Sequence, residues 1–257
     1  MGRLPSVFVS HGSPMHALQP GPAGEAWAAL GRRIGRPRAI VIASAHWETD
    51  RPLLTGAARP QTIHDFYNFP EPLYRLRYPA PGAPEVAQHA KELLLGKGFD
   101  AGIDPARGLD HGAWSPLLYM YPDADVPVVQ LSIQPQLGTQ HHVDVGKALR
   151  PLAEENVLVI GSGHLTHNLR DWARGQGQPT PYAREFQEWV LERIHHRKLA
   201  ELVQYRSLSP HGVRAHPSDE HFLPLFVALG AAGEGTPERV YDAIDSGVLA
   251  MDAYVFH

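Results

Sequence analysis

Three short apolar runs in this chain each close on a histidine, and this repetition constrains the fold more than any other feature. They read Val7-Phe8-Val9-Ser10-His11, Ile40-Val41-Ile42-Ala43-Ser44-Ala45-His46 and Val157-Leu158-Val159-Ile160-Gly161-Ser162-Gly163-His164. Short Val/Ile-rich runs followed by Gly and Ser match the buried strands of a parallel sheet. In open α/β sheets, ligands bind beyond the carboxyl ends of the strands. Three imidazoles placed there converge on one point, and clustered neutral imidazoles are first of all metal ligands.

Helix-like segments separate these runs. Strands are expected at about residues 5–10, 38–45, 127–133 and 157–161, with an edge strand in 248–256. Helices are expected at about 23–35, 84–96, 116–121, 140–155 and 182–204, and another from Pro224 to Gly230. Residues 48–82 are rich in Pro, Gly and aromatic side chains and read as a long ordered loop over the site. Gly175–Pro181 is the most exposed break, yet it reads as a loop within one unit. Unbroken strand–helix alternation predicts an α/β fold. The expectation is a single three-layer domain over residues 1–257, with a central mainly parallel or mixed sheet flanked by helices.

Composition narrows the chemistry. The 257 residues include no cysteine, which excludes disulfides, zinc–thiolate sites, iron–sulfur clusters and a cysteine nucleophile. A net charge of -4 gives no push toward nucleic acid or an anionic membrane. No apolar stretch approaches the roughly 20 residues that span a bilayer. With a strand expected from residue 5, no signal peptide is expected, and the protein is expected to be cytoplasmic. Of the 16 histidines, His16, His89, His141, His142, His195, His196 and His257 read as ordinary surface or core residues.

His11-Gly12-Ser13-Pro14 and Ser44-Ala45-His46-Trp47 lie 35 residues apart, about one βαβ unit. That spacing predicts adjacent strands presenting His11 and His46 side by side. Trp47 reads either as core or as the wall of an aromatic pocket. In Gly161-Ser162-Gly163-His164-Leu165-Thr166-His167-Asn168, the small residues allow close approach of ligand or backbone. A third glycine and the later acidic residue of a dinucleotide fingerprint are missing. His164 and His167, three apart, have the spacing of a shared helical face. The third metal ligand stays open between Glu220 and His221 in Ser218-Asp219-Glu220-His221-Phe222-Leu223-Pro224, because two histidines plus one carboxylate also make a facial site for non-haem Fe(II). Two loop motifs complete the candidates: Leu109-Asp110-His111-Gly112-Ala113-Trp114, and Thr62-Ile63-His64-Asp65-Phe66-Tyr67 ahead of Phe69, Tyr74 and Tyr78. No nucleophile elbow with a plausible triad, P-loop or His-Glu-x-x-His helix is present.

Together these motifs resemble, in family order from residue 8 to about 226, the class III extradiol ring-cleavage dioxygenases, and most of all their DOPA 4,5-dioxygenase-type branch. The resemblance implies His11, His46 and His221 as metal ligands, where the protocatechuate-cleaving branch has a glutamate as third ligand. It implies His164 as the acid/base residue. His111 is implied as a second catalytic side chain that positions substrate or dioxygen, with His64 and Trp47 as further substrate contacts. It implies Fe(II) for activity, with Zn2+ able to fill the site in isolated protein. The implied partners are a DOPA-like catechol and O2, the product is a muconic semialdehyde, and a homo-oligomer stays open. Two other readings compete: a zinc-dependent hydrolase, and a non-catalytic binding protein on the same scaffold.

Overall fold

The computed structural model describes residues 2–174 and 180–257. The Gly175–Pro181 break therefore lies outside the described residues, apart from Thr180 and Pro181. Ten strands are found among the described residues: β1 (Ser6–Ser10), β2 (Ala39–Glu48), β3 (Leu53–Thr55), β4 (Gly102–Asp104), β5 (Val128–Ile133), β6 (Val157–Gly163), β7 (Glu238–Tyr241), β8 (Ile244–Asp245), β9 (Leu249–Ala250) and β10 (Ala253–Phe256). Helices are α1 (Gly21–Ile34), α2 (Glu71–Arg75), α3 (Pro84–Leu95), α4 (His111–Met120), α5 (Gly138–Leu149), α6 (Leu169–Arg174), α7 (Pro181–His195), α8 (Leu199–Leu202), α9 (Tyr205–Leu208), α10 (Gly212–Ala215) and α11 (Leu223–Ala231).

Eight strands form one mixed sheet in the order β4-β3-β5-β2-β6-β1-β10-β7. The central strands β5, β2, β6 and β1 are parallel, and β10 pairs antiparallel with both β1 and β7. Side-chain alternation along the strands builds two cores. Val7, Val9, Ile40, Ile42 and Ile160 pack with Trp27 and Leu30 of α1 and Trp114 and Leu117 of α4. Val41, Ala43 and Val159 pack with α3, α5 and α11 on the opposite face. Phe8 meets Phe186 of α7 and Phe226 of α11. The result is the expected three-layer α/β arrangement, helices over both faces of a mixed sheet.

Several expectations are corrected. β1 and β2 are not neighbours: β6 lies between them, so His11 and His46 meet across the end of a third strand. β2 continues past His46 to Glu48, its pairing with β6 ending at Ser44 and its register on β5 shifting between Ala43 and Glu48. The C-terminal segment is not an edge strand, because β7, whose half-exposed side chains give no apolar run, covers it. The 48–82 stretch contains β3 and α2. The 182–204 helix breaks at His196–Lys198, where Arg197 has φ 54°. The 140–155 helix tightens into a 3-10 turn from Arg150. α4 starts at His111 instead of Pro116, because Asp110 caps it by accepting from the Ala113 N–H at 3.3 Å.

Two glycines of β6 bring the last core helix onto the sheet. A Cβ on Gly161 would stand 2.0 Å from the Pro224 carbonyl oxygen, and one on Gly163 would stand 2.1 Å from that of His221. The close approach lets the His164 N–H donate to the His221 carbonyl at 2.7 Å. Gly161→Ala is expected to cost about 1–3 kcal/mol of stability by forcing α11 off β6. An unchanged urea midpoint would contradict that packing.

Candidate functional site

The carboxyl ends of β1, β2 and β6 open into a cavity of about 370 Å³ whose lining includes His11, His46, His111, His164, His167 and His221. His11 follows β1 directly, and its N–H donates to the Gly163 carbonyl at 3.0 Å. His46 projects from the end of β2, and His221 sits just before α11. Their Nε2 atoms converge. His46 Nε2 is 3.0 Å from His11 Nε2 and 3.2 Å from His221 Nε2. All three rings offer a nitrogen within 4.8 Å of the other two.

The opposite nitrogen of each ring is tied to oxygen. Ser162 donates its single hydroxyl proton to the Gly112 carbonyl, so its oxygen accepts from His11 Nδ1–H at 3.1 Å. Glu220 accepts from His221 Nδ1–H at 3.0 Å, and Asp65 stands 3.3 Å from His46 Nδ1. Each ring therefore carries its proton on Nδ1 and turns an Nε2 lone pair toward the other two. Lone pairs do not hydrogen-bond one another, whereas a cation between them would satisfy all three. Nitrogens about 2.0–2.1 Å from one ion, with bonds 90–110° apart, are spaced by about 2.8–3.4 Å. The observed 3.0 and 3.2 Å fit that spacing. The three imidazoles are held well below their ordinary pKa, chiefly by burial and next by neighbouring imidazoles, so they are neutral donors at pH 7.

Glu220 thus reaches the far side of the His221 ring and not the point where the three Nε2 atoms meet. His167 stacks on His221 with ring centroids 3.5 Å apart and planes 15° from parallel. The 164–168 segment is not helical, so His164 and His167 share no helical face. They reach the cavity because the chain beyond β6 is pinned, His167 by its N–H to the Ala215 carbonyl at 2.9 Å. Burial, followed by nearby His167, also depresses His164, against a backbone hydrogen bond with Gly12. Among the described residues its Nδ1 has no hydrogen-bond partner.

Asp65 organises the other wall. It accepts from the His111 backbone N–H and from His111 Nδ1, both at 2.9 Å, besides standing against His46. Burial alone pushes its carboxyl up, but the His111 hydrogen bonds and the His111 and His46 rings outweigh that and hold it at about 2. Residue by residue, this corrects the 62–67 motif: Asp65 faces the site, and His64 points away. His64 Nε2 lies 3.0 Å from the Leu76 carbonyl, and its ring packs on Phe66 and Trp114. Trp47 is likewise outside the cavity, buried beneath Arg107, whose guanidinium stands 5.1 Å from the ring. Consecutive residues of an extended chain point to opposite faces, so His46 and Trp47 cannot both enter. The sequence also left Ser162, Phe66, Phe69, Leu169 and Trp172 unassigned to the site. For Asp65, the His-Asp pairing at 64–65 is the one sequence hint, and it does not say which member faces the site.

An α/β fold whose sheet end carries a three-imidazole centre with oriented rings defines a metal-dependent enzyme class. Comparison with known proteins gives the family. The profile described as "Catalytic LigB subunit of aromatic ring-opening dioxygenase" matches residues 5–256. A protein of Beta vulgaris named "4,5-DOPA dioxygenase extradiol" is 41% identical over 98% of this chain and 96% of its own length. One of Escherichia coli K12 with the same name is 40% identical over 97% of this chain and 93% of its own. A crystal structure of an uncharacterised Escherichia coli K12 protein superposes with a TM-score of 0.85 at 34% identity, covering 99% of this chain and 100% of that one. The chain belongs to the LigB family and is an extradiol aromatic ring-opening dioxygenase, an enzyme of a metal-dependent group acting on a small molecule and O2. No helix among the described residues is long and apolar enough to cross a membrane.

The oriented rings make a quantitative demand. Asp65→Asn and Glu220→Gln are each expected to lower metal affinity roughly 10–100-fold. His221→Ala is expected to lower it further. Competition against a chromogenic chelator measures all three; an unaffected Glu220→Gln protein would show that the carboxylate does not orient His221.

Proposed function

We propose that this enzyme opens the ring of a DOPA-like catechol beside its vicinal hydroxyls, with Fe(II) held by His11, His46 and His221. The observation that carries this reading is the convergence of three Nε2 lone pairs in a cavity walled by two further histidines, His111 and His164, and by aromatic rings. Three imidazoles in this spacing suit Fe(II) and Zn2+ alike. When bound, Fe(II) supplies Lewis-acid and redox chemistry toward the diol and O2, of which Zn2+ supplies only the first.

The protein's own groups handle protons and charge. His164, neutral and buried, takes a proton from one catechol hydroxyl at a ring nitrogen and returns it as the ring opens. His111 is anchored through Nδ1 by Asp65, which leaves Nε2 for the substrate. The Asp65 carboxylate behind the ring offsets positive charge on it as negative charge builds on oxygen. Phe66 stands edge-on to His111 at 5.6 Å and helps shape a slot for a flat ring. Both atoms of O2 end in the product, a muconic semialdehyde, so no external reductant is consumed.

The test is oxygen uptake by protein loaded anaerobically with Fe(II), across a panel of catechols, alongside a yellow product. His164→Ala is expected to keep its metal and lose about 10²–10⁴-fold in kcat. Full turnover in that variant removes the acid/base role. Ester or amide cleavage by the Zn2+ form, without oxygen uptake by the Fe(II) form, would replace the ring-cleavage reading with a hydrolase.

A further inference from the structure

One buried histidine takes no part in the chemistry described above. His216 lies fully buried at the carboxyl end of α10 and does not line the cavity. Burial, against a hydrogen bond to the Leu165 carbonyl, depresses its pKa to about 3, so the ring is neutral and carries one proton. That proton sits on Nε2, which donates to the Leu165 carbonyl at 2.8 Å. Among the described residues Nδ1 has no hydrogen-bond partner. An orphaned buried nitrogen is costly, and an apolar side chain of similar size would avoid it. Packing alone does not call for an imidazole at this position, whereas the bond to Leu165 does.

His216 joins two parts of the site. On one side, residues 214–216 hold the segment that carries His164 and His167 into the cavity. The His216 ring donates to Leu165, the Ala215 carbonyl accepts from the His167 N–H at 2.9 Å, and the Arg214 carbonyl accepts from Asn168 Nδ2 at 2.7 Å. The 164–168 segment is not helical, so it has no hydrogen-bond ladder of its own to keep its shape. On the other side, the His216 ring stacks on Phe222, with centroids 4.7 Å apart and planes at 26°. Phe222 directly follows His221. Arg206 fixes the backbone at this junction by donating to the His216 carbonyl at 2.9 Å.

We propose that His216 is a positioning residue for ring cleavage: its bond to Leu165 and its stacking on Phe222 set the place of the 164–167 segment relative to the three-imidazole centre. It touches neither substrate nor metal and acts through that segment. A displacement of about 1 Å at a proton-transferring group is enough to slow turnover about 10²-fold. The proposal rests on the acid/base reading of His164.

Oxygen uptake by the Fe(II)-loaded protein with L-DOPA and with 4-methylcatechol, alongside urea unfolding, tests it. His216→Met fills similar space without a donor. It is expected to lower kcat at least about tenfold, with KM and metal affinity within about threefold of the unsubstituted protein. Its urea midpoint is expected to stay close to the unsubstituted value, since one lost hydrogen bond is set against one relieved orphan. A glutamine Nε2 lies as many bonds from Cα as the histidine Nε2, so His216→Gln is expected to recover kcat to within about threefold, whereas the shorter His216→Asn is not. An undiminished kcat in His216→Met, or equal kcat in the Gln and Asn variants, overturns the proposal and leaves the acid/base reading standing. A urea midpoint, metal affinity and kcat that fall together show a purely structural role and overturn it as well. Should His216→Met not fold, exposed Arg206 decides: Arg206→Ala is expected to lower kcat about threefold at constant KM, and an unchanged kcat overturns the proposal. Full turnover by His164→Ala, or no oxygen uptake with either catechol, removes the reading on which the proposal rests, and it falls too.

Discussion

Two hydrogen bonds and one carboxylate contact on the outer nitrogens of three histidines govern the rest of this structure. Ser162, Asp65 and Glu220 hold the Nδ1 side of His11, His46 and His221. Each such contact fixes a tautomer as well as an angle, so three lone pairs must face one another in a region that burial keeps uncharged. That arrangement is unfavourable without a positive charge at its focus. The second histidine pair, His111 and His164, then borders the same focus without competing for it, because His111 is turned by its own bond to Asp65.

The backbone makes this possible. Ser162 reaches His11 because β6 runs between β1 and β2, and its two flanking glycines let the 221–224 segment lie against that strand. A side chain at either glycine would push His221 away from His11 and His46. On the opposite wall, buried Asp110 caps α4 and accepts from Ser44 at 2.7 Å, which locks the start of α4, and with it His111, to the end of β2. Asp110 also receives Gln130 and Arg107, so the carboxylate is fully surrounded by donors although burial raises its pKa. Core packing and site geometry therefore share residues.

The central strands were readable because apolar runs bounded by Gly and Ser have few other uses. The order of those strands was not, since the spacing of His11 and His46 is equally served by adjacent strands or by strands with a third inserted between them. β7 is not legible in the sequence because Glu238–Tyr241 lies half exposed and carries no apolar signal. In the site, the histidines that end β-runs were conspicuous, whereas their partners were ordinary residues: a serine between glycines, a glutamate beside its histidine, an aspartate beside another. The side of the chain on which each falls depends on local extended geometry, which is why Asp65 took the place expected of His64. Leu169 and Trp172 were unreadable for a similar reason, since a short polar helix gives no periodic signal.

The positions of the three proposed ligands along the chain carry one more consequence. His11 and His221 are 210 residues apart, and the protein has no cysteine with which to join distant segments. An ion gripped by both, and by His46, would tie the first strand to the last core helix much as a cross-link does, restricting the chain in proportion to the logarithm of the loop it closes. Occupancy of the centre is then linked to folding: the tighter the ion is held by the native state alone, the more the whole architecture resists opening. In this protein an occupied centre would also be a clasp.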